Sequence, residues 1–262
     1  MIERLLERDR VVILGGVVGL TALAWAYIVY LAWGMKSMEV GTGMAMEVVL
    51  PQMQLWGAVD FVLMFVMWTV MMVAMMVPSA APMVLVLATV NRRRQSEHRG
   101  PFVPTGTFLF GYLVVWAAFS AMATLAQWGL HSAALLSPRM VSTSPLLGGA
   151  LLVAAGVFQW TPLKHACLTH CRTPLGFIMS EWREGTRGAF IMGLNHGAYC
   201  VGCCWFLMGL LFVAGVMNLL WVAVIAAFVL IEKVAPRGQW VSRAAGLLLI
   251  GWGVWMAAGA LG

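Results

Sequence analysis

The sequence predicts an all-α, polytopic helical membrane protein with about seven transmembrane helices, a cytoplasmic N-terminus and an extracytoplasmic C-terminus. Three observations carry that prediction. Of the 262 residues, 62% are hydrophobic and 10% charged, whereas soluble domains carry about 25% charge. The mean hydropathy is +0.89. The apolar residues fall in long continuous runs, as helices buried in lipid require. This composition excludes a soluble globular enzyme, a disordered tail and a nucleic-acid-binding module. The 16 basic residues behind the net charge of +6 read instead as membrane topology signals.

The first run, 11–33, is too long for a signal peptide and lacks a small-residue cleavage pattern, so it reads as a retained span. The second, 59–90, has 32 residues. That is roughly 48 Å of straight helix at about 1.5 Å per residue, against a hydrocarbon core of about 30 Å. Pro78-Ser79-Ala80-Ala81-Pro82 offers a kink or break where the helix leaves the membrane and continues into the cytoplasm. The remaining runs are 104–130, 146–162, 188–214, 217–234 and 242–261. With no internal repeat and no low-complexity linker, residues 1–262 read as one integral membrane domain.

Charge supports the count. Arg4, Arg8 and Arg10 precede the first span, and Lys36 follows it. Arg92, Arg93, Arg94 and Arg99 follow the second span, and Arg139 the third. Lys164, Arg172, Arg183 and Arg187 follow the fourth, no Lys or Arg follows the fifth, and Lys233, Arg237 and Arg243 follow the sixth. Alternate loops sum to 14 against 2, which fixes the orientation by the positive-inside rule.

Soft ligands recur through this apolar background. Met35, Met38, Met44, Met46 and Met53 lie between the first two spans, near Glu39, Glu47 and Asp60, in a segment this topology places outside. Thioethers are neutral, need no deprotonation and select Cu(I) over hard cations; adaptable interfacial packing is the plainer use of Met. In the second span Met64, Met67, Met71 and Met75 share a helical face, with Met72 and Met76 in a second row. Leu or Val would supply the same apolarity. A sulfur ladder across the bilayer and close packing both account for Met there.

The fifth span carries His196, Cys200, Cys203 and Cys204, related by i, i+4, i+7 and i+8 and so projecting to one stripe. Cys200 lies about 18 Å from the start of the run at about 1.5 Å per residue, at a depth comparable with Met71 and Met72. Asn195 and His196 are polar groups that a membrane interior tolerates at a cost; they serve a site, or pair with each other to join helices. At the inner end of the fourth span, Cys167, His170 and Cys171 can converge, flanked by His165, before Pro174 stops the helix. Cysteine in a reducing compartment is more often a metal or redox ligand than a staple, and Lys164 and Arg172 would favour thiolates. All five Cys fall in these two clusters.

The stretches Met71 to Met83, Pro162-Leu163-Lys164 with Cys167 to Arg172, and Gly193 to Trp205 resemble a bacterial family of unknown function, described as predicted metal-binding integral membrane proteins. The resemblance covers roughly residues 55–235. It implies a membrane-embedded metal site in a multi-pass protein of the bacterial inner membrane, and no established reaction.

The ligand set points to copper as Cu(I), captured, stored or transferred through Met71, Met72, Met75, Met76, His165, Cys167, His170, Cys171, His196, Cys200, Cys203 and Cys204. Zinc is the weaker reading because the spacing is not that of a zinc ribbon. Covalent haem is disfavoured because no C-x-x-C-H occurs, and noncovalent ligation by His196 stays open. The expected partners are the lipid bilayer and a copper chaperone or a larger membrane complex. Two other functions stay open: an accessory subunit of such a complex, and a thiol–disulfide or electron relay through Cys200 and Cys203. No P-loop occurs, Asp60 is the only Asp beyond Asp9, and Ser/His/Asp catalysis has little support. Glu232 reads as a partner of Lys233 or the Arg237 region, and Glu181, Arg183, Glu184 and Arg187 as a solvated inner loop.

Overall fold

The computed structural model describes residues 2–41, 56–97, 103–133 and 144–259, which are helical with short connections and contain no strand. In chain order the helices are α1 (Ile2–Gly41), α2 (Ala58–Ser96), α3 (Thr105–Ser132), α4 (Pro145–Phe158), α5 (Pro162–Arg172), α6 (Pro174–Glu181), α7 (Gly185–Gly209), α8 (Leu211–Ala214), α9 (Leu219–Val234) and α10 (Gly238–Ala258). Five stretches are long and apolar enough to cross a membrane: Arg10–Gly34, Ala58–Gln95, Thr105–Ser132, Gly185–Ala214 and Gly238–Ala258.

The fourth run is not one straight span. Helix α4 stops at Phe158, and α5 leaves at 64° after a short break; counted as one broken span, the pair makes six. The cause is local. The Thr161 side chain caps α5 by accepting from the Lys164 backbone N–H at 3.3 Å, and Pro162 fills the first helical position. There the missing proline N–H costs nothing. Ser144-Pro145 starts α4 in the same way, with Ser144 accepting from Leu147 N–H. Pro174, read from sequence as a stop, also opens α6. Helix α9 has 16 residues, which is short for a crossing of about 30 Å.

Helix α2 runs unbroken through Pro78 and Pro82, so the expected break there is absent. It packs against α1, α3 and α9. That central position explains why its Met rows are buried from Met67 onward, with Met71, Met72, Met75 and Met76 all at 1% exposure or less and Met64 half-buried. Asp60, grouped with the outer methionines in the sequence, accepts from the Gly57 N–H at 2.9 Å at the start of α2. A carboxylate there suits the positive end of the helix dipole.

Helix α1 carries Met35 and Met38 on its last turns, so that part of the outer methionine segment is helix; Met44, Met46 and Met53 lie outside the described residues.

Helices α3 and α7 cross at backbone contact. A Cβ on Gly193 would lie 2.1 Å from the Phe108 carbonyl oxygen, and one on Gly111 would lie 2.4 Å from that of Phe190. Only glycine permits this approach, and small residues at helix crossings are the usual means of close packing in lipid. The crossing sets Tyr112 of α3 beside the middle of α7.

Candidate metal centre

Two helices supply the thiols. On α7, His196, Cys200, Cys203 and Cys204 are all buried. On α5, Cys171 is buried and Cys167 half-buried. The turn at Thr161-Pro162 lays α5 against α7. Gly202 makes room, since a Cβ there would lie 2.8 Å from the Cys167 sulfur. Cys171 reaches hydrogen-bonding contact with Cys200 and Cys203, and Cys204 makes the same contacts from within α7. The two cysteine clusters of the sequence thus meet, and the α5 thiols do not stand apart as an inner site. Cys171, Cys200, Cys203 and Cys204 belong to one core together with Met67, Met71, Met72, Met75, Met76 and Met208.

Cys200 is the hub. Its sulfur accepts from the Lys233 ammonium at 2.9 Å and shares a hydrogen bond with the Tyr112 hydroxyl at 3.1 Å. Lys233 also donates to Ser79 Oγ at 3.0 Å. Met76 supplies a carbonyl that accepts from both Ser79 and Tyr112. The Cys203 and Cys204 thiols donate to the Cys200 carbonyl at 3.1 and 3.0 Å. Two sulfurs about 3 Å from one oxygen are close neighbours, yet both point at their own backbone. That orientation explains why, among the described residues, no three His, Cys, Asp or Glu side chains converge in metal-binding geometry.

The histidines divide. His196 packs against the rings of Phe108, Tyr112 and Phe177, at centroid distances of 5.8, 5.7 and 5.3 Å. Its Nδ1 is buried without a hydrogen-bond partner. Asn195 does not pair with it; the amide donates to Glu181 at 2.9 Å. His170 turns away from Cys171 and stacks on Tyr199 at 4.2 Å, with Nδ1 at 2.9 Å from the Ala166 carbonyl. Cys167, His170 and Cys171 therefore do not converge as their spacing suggested. The His165 Nδ1 is likewise buried without a partner.

Residues 65–256 match the PpoB2 family, whose description is copper chaperone. The chain belongs to the PpoB2 copper chaperone family. No curated protein and no solved structure matches it. The role of this PpoB2 chain is therefore copper-related.

Three residues around the thiols escaped the sequence reading: Lys233, Tyr112 and Ser79. Lys233 carried a signal. Consecutive helical residues point about 100° apart, so Glu232 and Lys233 cannot face one partner. Glu232 instead pairs with Lys164 at 2.6 Å, both fully buried, rather than with Lys233 or the Arg237 region. Lys164 also bonds Gln159, and Ser242 bonds Glu232. Arg183, Glu184 and Arg187 before and at the start of α7 are exposed, as a solvated loop requires; within it Glu184 binds Arg94 at 2.6 Å, and Arg94 lies over Trp182.

Proposed function

We propose that this chain is an integral membrane copper chaperone that takes Cu(I) as cargo in the buried thiol cluster and releases it to a copper-receiving protein or membrane complex. The observation that carries this reading is the meeting of Cys171 with Cys200, Cys203 and Cys204 inside a methionine-rich core. Thioether and thiolate ligands of graded strength suit an ion that must enter, stay and leave. The α2 methionines Met64, Met67, Met71, Met72, Met75 and Met76 would hand Cu(I) inward to Cys200. His196, one turn from Cys200, is the nitrogen ligand in reserve. His165, Cys167 and His170 line the way out along α5.

In this reading the chain is a single domain that crosses the bacterial inner membrane seven times: the five long apolar helices are joined by α4–α5 as a broken span and by α9 as a short one. Lys164 and Lys233 are buried and drop out of the loop charge count. The remaining Lys and Arg keep the same asymmetry, which puts the N-terminus in the cytoplasm and the C-terminus outside. Membership of a chaperone family moves the chaperone role onto this chain, so the expected partner is a recipient rather than a second chaperone.

The test is copper binding by the full chain in mild detergent under reducing conditions, using Cu(I) buffered by a competing chelator. Wild type is expected to retain copper, and Cys200→Ser to lose it. Equal copper in the two, or none in wild type, refutes the thiol site.

A further inference from the structure

Among the described residues, a single ammonium group touches the thiol cluster. Lys233 comes from α9 and enters between α2 and α7, donating to Ser79 Oγ at 3.0 Å and to Cys200 Sγ at 2.9 Å. It is buried, 7% exposed, and both of its described bonds go to neutral or sulfur partners. The nearby buried ammonium, Lys164, is matched by Glu232 at 2.6 Å and so brings no net charge. The Arg172 guanidinium keeps its charge but is only half-buried and turned to the Ala235 and Pro236 carbonyls at 2.5 and 3.0 Å, where solvent screens it. Among the described residues, Lys233 thus brings the thiol cluster its one buried positive charge without a carboxylate partner.

We propose that Lys233 is a specificity-determining residue: its fixed ammonium balances a two-thiolate complex of a monovalent soft ion and disfavours a divalent ion held by the same thiolates. This inference rests on the thiol site proposed above. Loading forms Cu–S bonds, and each thiol that binds breaks its S–H bond and releases the proton to bulk water, with no change of oxidation state. Two thiolates carry two negative charges, and Cu(I) with the Lys233 ammonium returns two positive ones. The loaded site is then neutral, which a poorly solvated interior favours. Zn(II) on the same two thiolates is already neutral, so the ammonium leaves that site with one net positive charge. Recruiting further thiolates for zinc would move protons off thiols that donate to the Cys200 carbonyl, namely Cys203 and Cys204, and would lose those bonds. At an effective dielectric of about 20 and a separation of about 4 Å, one unit charge changes a binding ratio by on the order of 1,000-fold.

The test measures Cu(I) and Zn(II) affinities separately, with chelator-buffered metals, on wild type, Lys233→Met, Lys233→Arg and Ser79→Ala. In Lys233→Met the Cu(I)-over-Zn(II) preference is expected to fall by up to roughly 1,000-fold. Lys233→Arg, which keeps the charge, should stay near wild type. Ser79→Ala removes the other bond of the ammonium and should shift the preference the same way, by less. A structural role alone would weaken both metals together and leave the ratio unmoved. An unchanged ratio in Lys233→Met overturns the inference while leaving the thiol site standing. Absence of Cu(I) from wild type overturns both. Should Lys233→Met not accumulate, the other two variants decide. A shifted Ser79→Ala with an unshifted Lys233→Arg supports the charge role, and any other pattern refutes it.

Discussion

Lys164 and Glu232 form an ion pair of 2.6 Å in which both side chains are fully buried, tying α5 to α9. The pair holds the broken α4–α5 segment in place. Gln159 meets Lys164 at the break itself, and Ser242 of α10 meets Glu232. The register that sends Glu232 to Lys164 also sends Lys233 to Cys200. The network is therefore a positioning device for the thiol site as well as a structural one.

Glu232→Leu should leave the Lys164 ammonium buried without its partner. Removing one member of such a pair costs about 3–5 kcal/mol. The expected outcome is a large fall in thermal stability in detergent. Lys164→Met combined with Glu232→Leu removes both charges and should recover most of the loss. A double variant no more stable than the single one would show that the ion pair is not the cause.

Gly193→Ala places a methyl group 2.1 Å from the Phe108 carbonyl oxygen. Backbone cannot yield as a flexible side chain can, so α3 and α7 must separate. Overpacking of this kind costs about 1–3 kcal/mol, and separation would also draw Tyr112 away from Cys200. We expect reduced stability together with weakened copper binding. Gly209→Ala is the control, because a Cβ there meets nothing within 4 Å.

The helices were legible in the sequence because apolar runs must satisfy their own backbone groups. The break after Phe158 was written as Thr161-Pro162 but obscured by the apolar residues on both sides. The site was legible in its parts and not in its assembly. Cys171 and Cys200 lie on different helices, and sequence spacing says nothing of how α5 turns back along α7. Tyr112 carries no signal at all, since a tyrosine in an apolar run is ordinary. The pairing of Glu232 failed for a simple geometric reason: neighbours in a helical sequence face different directions.

Cys171→Ser and Cys200→Ser bear on whether the thiols act as one group. If α5 and α7 held separate sites, each variant would keep about half of the copper and the losses would add. Contact between Cys171 and Cys200 predicts strong non-additivity, as residues of one network show. Each single variant should remove most of the bound copper, and the double variant little more. Additive losses in a copper-per-chain measurement would return the two thiol groups to independence.

Replacing Met72 and Met76 with Leu separates packing from ligation. Both residues are buried at 0% exposure in the core that contains the four thiols. Leu and Met are close in volume, and such exchanges usually cost less than about 1.5 kcal/mol, so the fold should persist with a near-normal melting temperature. What changes is the sulfur. If Met72 and Met76 pass Cu(I) toward Cys200, the double variant should load copper several-fold more slowly, while final occupancy, set by the cysteines, stays near wild type. Stopped-flow transfer from a Cu(I)–chelator complex reads the rate directly. Loading at the wild-type rate with unchanged occupancy would assign these methionines to packing alone, as their adaptable side chains equally allow.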